Sequence, residues 1–293
     1  MKHVFGCLLV VPLLCGCKPD DGAAKWSTRG ESVIEPGSPA LQQPLAPRIE
    51  VLDENIRVSA VDLLMQASLS DDPLLRANAI EGLQPMAAQL DEVVRFGMTD
   101  ENEGVRFIAV LSVGMQELCS LSHLVRPMLD DASPSVRAAA MFSLERCGQE
   151  VDLSPLARMV LGGDPTAKAN AAFVLGEIGN PSAIPLIRSG VGRRMGLIDQ
   201  ARVQAIDLVM AEAMVKLGDT SEQEVIRAAL FSPSERGELT ALACQMLGEL
   251  GDTMMVQNLT DLATGQGPRQ PGIEIQLVAS EALARLDPGR VPV

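Results

Sequence analysis

One short line recurs along this chain, and that periodicity constrains the fold more than any other feature. Ser133-Pro134-Ser135-Val136-Arg137 leads into an Ala-rich run, and Asp164-Pro165-Thr166-Ala167-Lys168 leads into another. Earlier copies begin Asp72-Pro73-Leu74-Leu75-Arg76 and Glu103-Gly104-Val105-Arg106. Their basic residues, Arg76, Arg106, Arg137 and Lys168, follow one another at 30, 31 and 31 residues. The far end of the unit recurs as well, as Ile178-Gly179-Asn180, Leu217-Gly218-Asp219 and Leu250-Gly251-Asp252. A last copy, Leu286-Asp287, lacks the glycine. Seven copies fit into residues 51–293. A fixed period of this length marks a stack of supersecondary units.

Each copy reads as two helices. Asp or Ser before Pro is an N-cap followed by proline at the first helical position, where its missing N–H costs nothing. Gly-Asn or Gly-Asp marks the other end, with glycine in the left-handed C-cap conformation. About four turns rich in Ala, with Leu at helical spacing, lie between them. A shorter apolar helix precedes each cap, as in Leu121–Leu129, Leu153–Leu161 and Ala183–Ile187. One such pair cannot bury its own faces, so each completes the core of its neighbour. Small residues at the contacts let helices approach closely, which allows a good core in a chain with 2% aromatics and 47% hydrophobic residues.

Residues 164–187 resemble the HEAT-repeat family, in particular the short bacterial HEAT-like, or bilin-lyase-type, repeat DPxVRxxAAxxLGxIGdxxAIPxL. The matching positions are Asp164, Pro165, Lys168, Ala171, Ala172, Leu175, Gly176, Ile178, Gly179, Ala183, Ile184, Pro185 and Leu186. The resemblance implies an all-α fold, a right-handed α-solenoid of about seven helix pairs over residues 51–293. Two copies depart from the pattern by insertion, at Arg188–Gly196 and at Thr264–Gly272. Insertions in solenoids lie on the surface and often contribute to binding.

The N-terminus reads as an address. Residues 1–16, MKHVFGCLLVVPLLCG, carry one Lys, an apolar run from Val4 to Leu14 and small residues at the end. That is the secretory signal pattern. Leu14-Cys15-Gly16-Cys17 resembles the lipobox of bacterial lipoproteins. The resemblance implies cleavage after Gly16, diacylglyceryl transfer to Cys17 and a further acyl chain such as palmitate. Two or three chains anchor stably where one does not. Cys15 is the poorer acceptor, because Pro12 would fall at −3. Lys18 in place of Asp favours the outer membrane, facing the periplasm. Residues 17–50 carry Pro19, Pro36, Pro39, Pro44 and Pro47 among Gly, Ser and Gln, and read as a flexible tether.

Composition excludes several chemistries. The formal charge is −14, so the chain repels nucleic acid and anionic lipid heads alike, and membrane contact falls to the N-terminal lipid. Six Phe, one Trp and no Tyr leave little for base stacking. With His3 at the extreme end, His123 alone builds neither a multi-His metal site nor a catalytic triad. No calcium loop, Walker, GxSxG or GxGxxG pattern occurs, so no metal, cofactor or catalytic residue is expected.

Four further groups stand out. Arg76, Arg106, Arg137 and Lys168 share a register and predict a structural ladder, each base meeting an acid such as Asp72, Asp131 or Asp164. Arg188, Arg193 and Arg194 form a basic cluster in an acidic body and are the candidate partner contacts, beside the long second helices. Cys119 and Cys147 are 28 residues apart, close to one repeat; a disulfide in an exported protein is one reading, and small buried hydrophobes the other. Cys244 reads as core. The functional expectation is a non-catalytic envelope scaffold binding a protein or peptide along a solenoid face. The alternatives are a structural subunit of an envelope complex and, further off, a bilin-lyase-like enzyme.

Overall fold

The computed structural model describes residues 54–193, 199–232, 237–266 and 271–286. The signal segment 1–16, Cys17, the 17–50 tether and Arg194 lie outside them. The described chain is an all-α solenoid of fourteen α-helices, with short 3-10 turns and no strand. Seven helix pairs follow one another: α1 (Glu54–Ala67) with α2 (Pro73–Gly82), α3 (Ala87–Gly97) with α4 (Glu103–Met115), and α5 (Ser122–Val125) with α6 (Pro134–Arg146). Then come α7 (Ser154–Leu161) with α8 (Pro165–Ile178), and α9 (Ile184–Gly190) with α10 (Gln200–Lys216). The last are α11 (Gln223–Ala229) with α12 (Glu238–Glu249), and α13 (Val256–Thr264) with α14 (Ile273–Leu286).

Local chemistry sets the helix ends. Asp72 accepts from the Leu74 N–H, Asn102 from Gly104 and Val105, and Asp164 from Thr166 and Ala167. Each satisfies donors that the first turn leaves without partners. Ser133 holds the same place before α6, but its hydroxyl makes no cap bond. At the other end Gly179 takes φ 79°, in the left-handed region where a Cβ is costly. The equivalent place after α4 is filled by Glu117, the one non-glycine residue at positive φ among those described (φ 53°).

One expected helix is different. Leu121–Leu129 is not a continuous α-helix: a 3-10 turn at Cys119–Leu121 leads into α5, and Arg126–Asp130 is again 3-10. Pro127 sits in that stretch and removes a backbone donor, which blocks regular α continuation.

The even-numbered helices form the core. In α8 every residue from Ala167 to Gly176 is buried, and α4, α6, α10 and α12 are buried to a similar extent. Phe107 and Phe142 are the largest of their fully buried side chains, and burying such a side chain contributes roughly 1.5–3 kcal/mol. Close approach is possible because the contact residues are small. A Cβ on Gly176 would lie 2.9 Å from the Ala213 Cα of the next pair. Ser143 adds a buried polar tie between α6 and α4, donating to the Val110 carbonyl (2.6 Å) and accepting from the Gly114 N–H (3.1 Å).

Candidate binding surface

A helix buried on all sides offers little to a partner, so the accessible features are the ends of the pairs. Three rows of charge run along those ends. The first is the register that holds Arg76, Arg106, Arg137 and Lys168. Arg76 grips the Asp100 carboxylate with Nε and Nη2, both at 2.8 Å, while Nη1 donates to the Ser70 and Asp71 carbonyls. Arg106 repeats this one pair later: Nε and Nη2 hold Asp131 at 2.8 and 2.9 Å, and Nη1 donates to the Asp100 and Glu101 carbonyls. The hydrogen bonds to the carboxylates outweigh the cost of burial and raise both guanidinium pKa values further.

Two rungs carry such a pair: Asp131, one of the acids expected, closes the Arg106 rung, while Arg76 takes Asp100 in place of Asp72. Asp72 and Asp164 are occupied as N-caps, and the partner acid stands two residues before the next cap, 24 or 25 residues after its base. The third and fourth rungs carry no such pair. Arg137 keeps the Nη1 anchor, to the Asp131 and Ala132 carbonyls at 2.5 and 3.0 Å, but Gly162 occupies the acid's place. Lys168 is fully buried, with Nζ donating to the Gly190 carbonyl at 3.2 Å. Burial first, and the Arg193 charge second, lower its ammonium pKa.

At the break in the row lies a groove of about 410 Å³. Arg137, Arg158 and Asp164 bring charge to it, Gly162 and Gly163 leave one side open, and Leu129, Met141 and Met159 form apolar wall.

The second row was not foreseen. It occupies the position two residues before each helix-end glycine or its equivalent, and its signs alternate: Arg146, Glu177, Lys216, Glu249, Arg285. Lys216 Nζ lies 2.7 Å from Glu177, 2.9 Å from Glu212 and 3.7 Å from Glu249, and 5.4 Å from the centre of the Phe173 ring. Arg285 meets Glu249 at 3.3 Å and Glu281 at 2.7 Å. Burial alone would lower the Lys216 ammonium; the carboxylates of Glu212, Glu177 and Glu249 outweigh it and raise the pKa. The signal was present in the sequence as an alternation at one register position.

The third row explains the basic cluster. Residues at the ends of the odd-numbered helices reach the residue after the next helix-end glycine. Arg227 pairs with Asp252 at 2.6 Å, and Arg126 reaches Gln149 at 3.2 Å. Arg188 belongs to this row: it pairs with Asp219 and lies 3.7 Å from Glu222. Arg193 turns back, donating from Nε to the Ser189 carbonyl at 2.7 Å. The two described arginines of the cluster are thus engaged within the fold. Of the long second helices, α4, α6, α8, α10 and α12 are buried over most of their length, while α2 and α14 are buried at only a few positions.

The other singled-out residues find local explanations. Cys119 and Cys147 form a disulfide with Cα atoms 5.3 Å apart, tying the turn before α5 to the end of α6. Cys244 is buried and free, and burial raises its thiol to about 12. His123 is exposed, with Nδ1 2.9 Å from the Ser120 carbonyl oxygen. Glu81 on α2 is a further surprise. Both its carboxylate oxygens are shielded from solvent and meet no partner among the described residues. Burial, with the Glu281 charge as a second cause, raises it to about 8.

Comparisons place these repeats among known ones. The family model described as PBS lyase HEAT-like repeat matches residues 167–192, the α8–α9 segment. Together with the solenoid, that match supports a HEAT-repeat domain in this chain. No curated protein matches. Among solved structures, human deoxyhypusine hydroxylase in complex with glycerol is similar at 16% identity and a TM-score of 0.40, over 80% of this chain and 91% of that one.

Proposed function

We propose that this helical-repeat protein is a lipid-anchored, non-catalytic scaffold at the bacterial cell envelope, binding a protein or peptide partner along the ends of its helix pairs. The observation that carries the reading is the break in the first charge row. Seven stacked pairs present equivalent ends in series, two rungs are closed by internal carboxylates, and the next opens onto a groove with a cation in its wall. A repeated surface with one irregular place suits recognition of an extended partner. HEAT-like repeats in general can mediate protein interactions, which supports the same view. Anchoring rests on the Leu14-Cys15-Gly16-Cys17 motif, with diacylglyceryl and palmitoyl chains on Cys17 and an outer-membrane, periplasm-facing address. Among the described residues no helix is long and apolar enough to cross a membrane.

Crosslinking in cells, followed by capture and mass spectrometry, tests this. A photo-crosslinker at Met159 or Gly163 should trap one reproducible partner, and the chain should fractionate with membranes unless Cys17 is replaced by alanine. A chain that stays membrane-bound as Cys17→Ala, or that traps nothing from these positions, overturns the reading.

A further inference from the structure

We infer that the groove beside Arg137 is a carboxylate-binding site, and that its ligand is an acidic side chain or C-terminal carboxylate on an apolar stretch of a partner peptide. The peptide source rests on the scaffold reading; the carboxylate chemistry rests on the repeat itself.

The argument is an internal comparison. Arg76, Arg106 and Arg137 occupy one register position, and in each the Nη1 atom donates to two backbone carbonyls five and six residues earlier. That anchor fixes the plane of the guanidinium. On the first two rungs the remaining edge, Nε and Nη2, grips both oxygens of one carboxylate, Asp100 or Asp131, at 2.8–2.9 Å. On the third, the residue in the acid's place is Gly162. Asp131 and Gly162 correspond closely: each ends the first helical segment of its pair in extended backbone, and each stands two residues before an N-cap, Ser133 and Asp164 respectively. The fork of Arg137 is therefore held in the same carboxylate-gripping pose, and its Nε and Nη2 meet no acceptor among the described residues.

The surroundings favour an external acid. Arg158 adds a second cation at the groove, where its charge also lowers the carboxyl pKa of Asp152. Asp164 is the opposing charge, and its Oδ1 is already committed to the Thr166 and Ala167 N–H groups at 2.9 and 3.0 Å. Among the groove-lining residues two cations stand against one acid, in a chain of net charge −14, with the Asp131 carboxylate in the field of Arg137 and that of Asp152 in the field of Arg158. Paired N–H donors on a planar guanidinium match a carboxylate better than a point charge would. A volume of about 410 Å³ exceeds what one carboxylate fills. The walls beyond the fork are Leu129, Met141 and Met159, and methionine adapts to varied apolar shapes. A carboxylate flanked by aliphatic residues fits this combination; a free hydrophilic acid would use the fork alone.

Calorimetric titration of the full chain with three probes tests the inference: acetyl-Leu-Asp-Leu-amide, its Asn counterpart and sodium N-acetylaspartate. The Asp peptide should bind at least about tenfold tighter than the Asn peptide, the span expected for hydrogen bonds to a charged group. It should also bind clearly tighter than N-acetylaspartate. Arg137→Gln should lower its affinity by a similar factor. Because that change also loosens the Nη1 anchor, Gly162→Asp is the second variant. It keeps Arg137 and supplies the carboxylate from within, although its Cβ would lie 2.9 Å from the Arg158 carbonyl oxygen and 3.4 Å from that of Met159, so the backbone at the end of α7 must shift. A folded Gly162→Asp protein should lose peptide binding by the same factor. Equal binding of the Asp and Asn peptides, or binding indifferent to both variants, overturns the carboxylate site. Equal, Arg137-dependent binding of N-acetylaspartate and the Asp peptide leaves the carboxylate chemistry standing and overturns the peptide source.

Discussion

Replacing Glu81 by glutamine removes a carboxyl that the fold keeps protonated at a cost, and the size of that cost can be worked out. The carboxyl of Glu81 ordinarily titrates at 4.5, and in the folded chain burial and the neighbouring charge of Glu281 move it to about 8. Below pH 4.5 folded and unfolded chains both hold the proton, and the group does not discriminate between them. Between 4.5 and about 8 the unfolded chain releases the proton and the folded chain keeps it. Folding then becomes less favourable by about 1.4 kcal/mol for each pH unit. Over the whole interval this amounts to about 5 kcal/mol, after which the dependence is flat. Stability from this group is thus present in acid and lost as pH rises through the folded value.

Glutamine has the same shape and no proton to lose. Urea unfolding of both proteins, followed by circular dichroism at several pH values from 4.5 to 9, reads the difference directly. Other carboxylates contribute equally to both curves and drop out on subtraction. The wild-type curve should fall away from that of Glu81→Gln as pH rises, until the variant leads by several kcal/mol at pH 8.5. Glu281→Gln should recover a smaller part of the same gap, since the Glu281 charge is the lesser cause. Parallel curves for wild type and Glu81→Gln would show that the carboxyl is solvated, and would refute its burial.

Three further outcomes are expected. Reduction of Cys119–Cys147, or Cys147→Ser, should destabilise the chain by about 3–4 kcal/mol, the loop-closure value for a 28-residue separation, read as a lower urea midpoint with dithiothreitol than without. Asp131→Asn should cost about 1–3 kcal/mol, because it leaves the half-buried Arg106 fork without its charged acceptor, whereas Asp91→Asn at the exposed Arg95 pair should leave the urea midpoint nearly unchanged; equal losses at the two sites would contradict the rung geometry. Glu117→Gly should stabilise by about 0.5–1 kcal/mol, since it relieves the left-handed backbone and the pair of Glu117 with Arg146 is exposed; a lower thermal midpoint would mean that the Glu117 side chain matters more than its backbone.

The fold was legible because its signals are local. An Asp before Pro satisfies the first turn of α8 wherever that helix lies, and Gly179 ends it for reasons of backbone sterics alone. The broken stretch at 119–130 was legible in principle, since Pro127 stands in it. What the chain does with its charges was harder to read, because the pairings that build the rows cross from one repeat to the next. Asp72 lies four residues from Arg76 and looks like its partner, yet the helix start claims it and Asp100 takes the arginine. Glu81 carries no sequence mark at all; its state depends first on burial and then on the charge of Glu281, two hundred positions away.

The two inter-repeat rows suggest how a stack of near-identical units acquires one distinctive place. In the row through Glu177, Lys216, Glu249 and Arg285 the sign changes at each step, so every charge finds its opposite in a neighbouring repeat and the row is closed to outsiders. In the row through Arg76, Arg106 and Arg137 the sign never changes, and each base depends on an acid supplied from the following pair. Such a row is sensitive to a single substitution: glycine at position 162 leaves Arg137 anchored, oriented and available, with no other change to the helix that carries it. Arg188 shows the converse, since a base that looks free in the sequence is closed off by Asp219 of the next pair. Recognition sites on arrays of this kind are therefore better sought where an inter-repeat pair loses one member than where basic residues cluster.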